Sequence, residues 1–239
     1  MMNNDIPVVL DGLNDEIQSS NINRALALHF DLPISYIPQY AQALNSVLAG
    51  WFMSYFQAAC PPYEEIVLND NIVLDEICLS KSQWQKIRKD LLGQNILIQR
   101  KEGRKSYYSL NEDAIELALR GVSNHFAPVI DINRLHASTL IHNGLSLKVV
   151  ILNAYFIQQH PFRALNERCD DGEPLAINLN EISQHTFLSV SEVKTALKHL
   201  QNHGIFSVIN QLGQEFVIIH FAKIAELTAQ FCDLNLGGD

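Results

Sequence analysis

Residues 79–111 read LSKSQWQKIRKDLLGQNILIQRKEGRKSYYSLN, and this stretch decides the fold. Ser80 carries a hydroxyl that can accept from the free N–H groups at the start of a helix. Trp84, Ile87 and Leu91 recur at helical spacing, which predicts a helix over 80–92 with one apolar face against a core. Asn95 follows, and asparagine tolerates the left-handed conformation in which helices end. Ile96-Leu97-Ile98 and Ser106-Tyr107-Tyr108-Ser109-Leu110 read as two strands, joined by a charged hairpin, Arg100 to Lys105, with Gly103 at its tip.

The same order precedes and repeats. Upstream, Pro38 to Ala59 reads as a leading helix, Val67-Leu68 as a short strand, Asn71 to Ile77 as a short helix and Cys78-Leu79-Ser80 as a tight turn. A shift of 109 residues lays Leu79-Ser80 on Leu188-Ser189, Leu91 on Leu200, Ile96 on Ile205 and Ile115 on Ile224. The second copy then has a leading helix over 147–159, a strand over 175–177, a short helix over 179–185 and a second helix over 189–202. Gly204 stops that helix, and strands 205–209 and 215–220 flank a turn at Gln211 to Gln214. Helix, strand, helix, turn, helix, strand, wing, strand is the order of a winged helix-turn-helix. The expected fold is therefore mainly α with small β wings (α+β), a tandem of two winged helices. The expected boundaries are an acidic arm at 1–23, a first domain at 24–120, a connector at 121–146 and a second domain at 147–239. A further helix over 129–141 is possible within the connector.

Residues 32 to about 115 resemble winged-helix proteins of phages, plasmids and integrated elements. Leu32-Pro33-Ile34-Ser35-Tyr36, Ser46-Val47 and Trp51-Phe52-Met53-Ser54-Tyr55-Phe56 are similar to their Pro-Ile-aromatic opening and first helix. Leu79-Ser80 through Leu91, Ile96 and Tyr107-Tyr108-Ser109-Leu110-Asn111 are similar to their basic helix and wing. Asn45 and Asn95 stand where that group usually has glycine. The resemblance implies the fold and DNA binding, in replication initiation or in transcriptional regulation.

Charge is distributed unevenly. Between residues 81 and 105 eight cations face two anions, a net +6, which leaves −15 on the rest of a chain whose total is −9. Affinity for DNA comes largely from cations that displace counterions from phosphates, so the basic segment is the expected interface. With Trp84, Ile87 and Leu91 turned inward, Lys81, Ser82, Gln85, Lys86 and Lys89 share the outer face. Gln85 suits adenine N6 and N7, and Lys81 and Lys86 suit guanine or phosphate. Arg100, Lys101, Arg104 and Lys105 are expected on phosphates or in the minor groove.

The second copy is nearly neutral at the same places. Ser191, Lys194, Thr195 and Lys198 are its outward residues, and its wing has no charge, which suits a protein contact or auxiliary DNA contact. Trp51, Phe52, Tyr55 and Phe56 make the first leading helix apolar on more than one face, as a core or a homodimer seam requires. Ile218 to Phe231 is a further apolar segment for packing within its module or across a two-fold axis.

No phosphate loop, GxSxG or HExxH motif occurs, so the expectation is a non-enzymatic protein without cofactor or metal. His199 and His203 read as a helix-end pair, and Asp170-Asp171-Gly172-Glu173 as a solvated hairpin. Cys60, Cys78, Cys169 and Cys232 lack metal-ligand spacing, and no segment reads as a membrane span or secretory signal. The expected place is the cytoplasm, at the nucleoid. A competing expectation is an acidic winged-helix subunit of a chromosome-organising complex that binds protein partners more than DNA, which the −15 favours and the +6 opposes.

Overall fold

Pairing between residues 96 apart in sequence joins the two halves of the chain. The computed structural model describes residues 33–60, 64–68, 73, 77–123, 126–160 and 173–236. The first half runs β1 (Ile34–Tyr36), α1 (Pro38–Ala43), α2 (Val47–Ala59), β2 (Ile66–Val67), α3 (Lys81–Gly93), β3 (Leu97–Glu102), β4 (Lys105–Leu110) and α4 (Glu112–Leu119). The second runs β5 (Ile130–Ile132), α5 (Arg134–His142), α6 (Leu147–Gln159), β6 (Leu175–Ala176), α7 (Leu179–Thr186), α8 (Val190–Asn202), β7 (Phe206–Gln211), β8 (Gln214–Ile219) and α9 (Phe221–Leu236). The chain is thus an α+β protein with small antiparallel sheets, in the orders β1-β5, β2-β4-β3 and β6-β8-β7.

The second half repeats the order of the described elements of the first, with α7 between β6 and α8. Most of the short helix expected at 71–77 lies outside the described residues, although Val73 and Ile77 are buried. The expected arm at 1–23 and Asp170 to Gly172 also lie outside them. Ile34 pairs with Ile132, Ser35 with Asp131 and Tyr36 with Ile130, a register symmetric about the Ser35–Asp131 pair. Each strand packs on the long helix of its own half, β1 on α2 and β5 on α6. Tyr36, buried, donates its hydroxyl to the Thr186 carbonyl across the seam at 3.0 Å.

Two expectations change, and one pair of alternatives is resolved. The leading helix read over 38–59 is two helices, because Asn45 takes φ 48° and Ser46 caps a new helix by accepting from Ala49 N. The two helices pack backbone to backbone: a Cβ on Gly50 would lie 2.5 Å from the Ala41 nitrogen, a distance only glycine allows. The stretch expected as a connector contains β5 and α5, which occupy the places of β1 and α1. The aromatics read as a core or a homodimer seam form a core within the chain. Trp51, Phe52, Tyr55 and Phe56 are all buried. Phe52 stacks on Trp84 of α3 at 4.9 Å, Trp51 Nε1 donates to the Ile77 carbonyl, and Arg134 of α5 lies over Tyr55. The apolar segment 218–231 is spent likewise, as β8 and a helix α9 that packs on α5.

Candidate nucleic-acid interface

Helix α3 begins with a reciprocal cap: the Ser80 hydroxyl accepts from Gln83 N, and the Gln83 side chain accepts from Ser80 N. Two of the unpaired N–H groups of the first turn are thereby satisfied, which fixes where the helix starts and which residues face outward. Trp84, Ile87 and Leu91 are buried, while Lys81, Ser82, Gln85, Lys86 and Lys89 are exposed. Trp84 meets Tyr108 of β4 edge-on at 5.8 Å, so the helix is clamped against the three-stranded sheet. Asn95, at φ 56°, turns the chain back into β3.

The alternation of β3 and β4 then sorts the hairpin cations onto two faces. Lys101 pairs with Ser106 and Gln99 with Tyr108, and these residues look toward α3. Gln85, Arg88, Lys89, Leu92, Gln99, Lys101 and Ser106 line a groove of about 510 Å³ between helix and sheet. Among the described residues its lining holds three cations and no carboxylate. Arg88 and Gln99, which sequence reasoning left out of the interface, brace its floor: Arg88 Nη1 and Gln99 Nε2 both donate to the Tyr108 hydroxyl, at 3.4 and 3.2 Å. The signal for Arg88 was its place four residues after Trp84, and for Gln99 its position two residues before Lys101 on one strand.

Arg100 points to the opposite face. It stacks on Tyr107 at 4.3 Å and binds Glu65 through Nε and Nη2, and Glu102 through Nη1. The hydrogen bonds from Arg100 hold the Glu65 carboxyl below the usual carboxylate range, and those to Glu65 and Glu102 hold the guanidinium in its charged form. Two carboxylates therefore compensate the charge that the sequence assigned to phosphate. Arg104 sits exposed in the two-residue turn with Gly103, which takes φ 58°, and Lys105 is exposed at the start of β4.

Lys86 lies on the other flank of α3 and lines a cleft of about 540 Å³ at the seam of the two halves, with Ser46, Leu48, Lys148, Phe187, Ser189 and Glu192. Both α3, through Lys86, and α8, through Glu192, border this cleft. Lys148, also unforeseen, pairs there with Glu192. Burial would raise the Glu192 carboxyl, but the hydrogen bonds from Lys148 and Ser189 outweigh it and hold it low.

In the second half Ser189 and Glu192 repeat the reciprocal cap, and Val193, Ala196, Leu197 and Leu200 are buried. Ser191, Lys194, Thr195 and Lys198 are exposed, as expected. The Thr195 hydroxyl is turned onto its own helix, donating to Ser191 O at 2.9 Å. His203 ends α8, its ring nitrogen 2.9 Å from His199 O. Among the described residues no group of three or more His, Cys, Asp or Glu is placed to hold a metal ion, and no helix is long and apolar enough to cross a membrane.

No family model, curated protein or solved structure matches the chain. The basic groove between α3 and the hairpin thus speaks through its own chemistry. An array of Arg88, Lys89 and Lys101, with no anion beside it among the described residues, attracts a polyanion. The exposed amide of Gln85 beside it offers a donor and an acceptor to a base edge.

Proposed function

We propose that the chain is a tandem of two winged helices that binds double-stranded DNA in a sequence-specific manner. The observation that carries this reading is the groove flanked by α3 and the β3–β4 hairpin, lined among the described residues by Arg88, Lys89 and Lys101 and by no carboxylate. In this reading α3 enters the major groove with Gln85 and Lys81 toward base edges. Lys89 and Lys101 grip one phosphate strand, and Arg104 and Lys105 reach the neighbouring backbone. Lys194 and Lys198, exposed on α8, supply auxiliary contacts in this reading. Arg100 joins the interface only where a phosphate displaces Glu65 or Glu102.

The narrower role, replication initiation or transcriptional regulation in a mobile element, rests on the resemblance of residues 32 to 115. The charge outside the basic segment favours the second reading, an acidic subunit of a chromosome-organising complex. Selection from a random 30-bp duplex pool separates the two. A DNA reader enriches one sequence from the pool, and protection maps to major-groove positions of that sequence. A pool that emerges unenriched, with binding no better than to bulk DNA, sets specific recognition aside in favour of the partner-binding subunit.

A further inference from the structure

Two arginines of the first half are oriented by opposite means. Arg100 is fixed by the carboxylates of Glu65 and Glu102. Arg88 is fixed by neutral groups: its guanidinium carbon lies 5.9 Å from the centre of the Trp84 ring, and Nη1 donates to the Tyr108 hydroxyl at 3.4 Å. A guanidinium held by neutral partners keeps its charge for a ligand. Tyr108 is buried, and Gln99 Nε2 ties it to the groove wall, donating to the Tyr108 hydroxyl at 3.2 Å and to Ser106 Oγ at 3.0 Å. Arg88, Lys89, Gln99, Lys101 and Ser106 all line one groove, and among the described residues no carboxylate lines it with them.

The second half shows that a helix and hairpin of this kind close without such a network. The 109-residue offset lays Arg88 on Leu197, Gln99 on Val208 and Tyr108 on Val217, and Val208 pairs with Val217 as Gln99 pairs with Tyr108. Leu197 and Val217 are buried and Val208 packs against the core, so aliphatic side chains suffice at these places. Lys101 and Ser106 fall on Asn210 and Glu215, so the groove's cation and hydroxyl are not repeated either. Hydrogen-bonding groups placed where packing asks only for aliphatic ones carry a desolvation cost, and a ligand for Arg88 accounts for them. One guanidinium, two ammonium groups and a hydroxyl, all donors, suit a tetrahedral oxyanion. We infer that Arg88, Lys89, Lys101 and Ser106 form a seat for one phosphate group of the duplex backbone, and that Tyr108 is a positioning residue that holds Arg88 over it. This rests on the DNA-binding reading above.

The test places single uncharged methylphosphonates in turn along the duplex that the full chain enriches from the random pool, with binding read by fluorescence anisotropy. Wild-type protein loses about tenfold in affinity at the seated phosphate. Arg88→Gln binds the unmodified duplex more weakly and is indifferent to that one replacement, while it responds as wild type does at the other contacted phosphates. Ser106→Ala costs about fivefold, with an unchanged salt slope because no charge is removed. Tyr108→Phe keeps the ring against Trp84 and also costs about fivefold. In the Arg88→Gln background it costs nothing further, whereas a merely structural role lowers affinity equally in both backgrounds. Inorganic phosphate that competes with duplex at fixed ionic strength, in wild type but not in Arg88→Gln, assigns the seat to free phosphate and overturns the backbone as its source. An Arg88→Gln protein as sensitive as wild type at every position, or a Tyr108→Phe loss that persists without Arg88, overturns the seat or its positioning residue and leaves DNA binding standing. A wild type that binds no duplex overturns the seat and the DNA reading together.

Discussion

His136 makes acid stability a measurable property of the second half of the chain. Its ring lies between α5 and α6, with Nε2 3.1 Å from Asn153 Nδ2, and burial lowers its pKa from 6.5 to about 4. In the folded protein the imidazole therefore stays neutral down to about pH 4, whereas in the unfolded chain it takes up a proton near pH 6.5. The unfolded state binds more protons throughout that window, so stability falls as pH falls from 6.5 to about 4 and the loss levels off below. At about 1.4 kcal/mol per pH unit, the full window is worth up to roughly 3 kcal/mol, less to the extent that water reaches the ring. Urea unfolding at half-unit pH steps measures it. His136→Gln keeps an acceptor for Asn153 and has nothing to protonate, so its stability is flatter than wild type between pH 6.5 and 4.5. Below that, both proteins weaken as Glu65, Glu192 and Glu226, whose carboxyls are held low by their lysine, arginine or serine partners, become protonated. A wild-type profile that is flat from pH 6.5 to 4.5, or an equal slope in His136→Gln, refutes the reasoning.

Other perturbations test the rest of the framework. Glu65→Gln releases one of the two carboxylates on Arg100, so duplex binding tightens and the salt slope steepens by up to about 1, read by fluorescence anisotropy. Gly50→Ala forces a Cβ into the Ala41 backbone and lowers stability by about 1–3 kcal/mol in urea unfolding, the cost of overpacking. Tyr36→Phe leaves the buried Thr186 carbonyl without its partner across the seam and costs about 1–3 kcal/mol on the same assay.

The parts of the fold visible in the sequence were those with local physical causes. Helices α3 and α8 could be placed from a capping serine and a helical apolar period, and their buried faces are the expected ones, Trp84, Ile87 and Leu91 in one and Val193, Ala196, Leu197 and Leu200 in the other. Asn95 and Gly204 end them in the left-handed conformation. What escaped was non-local. Strands β1 and β5 are three residues each, too short for alternation to announce them, and they exist by pairing with each other across the chain. Their pairing explains why an all-round apolar α2 needs no second copy of the protein. In the interface, helical periodicity put Gln85 and Lys89 on outward positions, where both are exposed, whereas Lys101 was read in a hairpin loop and lies in β3. Periodicity alone could not show that Arg100 faces away from α3, since that follows from the pairing register. Nor could it reveal Glu65, 35 residues upstream, which neutralises Arg100.

The groove itself offers the most direct trial. Anisotropy titrations of the selected duplex across a salt series, for wild type and for Lys89→Gln, Lys101→Gln and the double variant, count the phosphates held there. Each single change should reduce the slope of log K against log salt by about 1 and the double change by about 2, with unfolding midpoints unmoved because both side chains are exposed. An unaltered slope in the double variant, or no duplex binding by wild type at about 50 mM salt, would contradict the account.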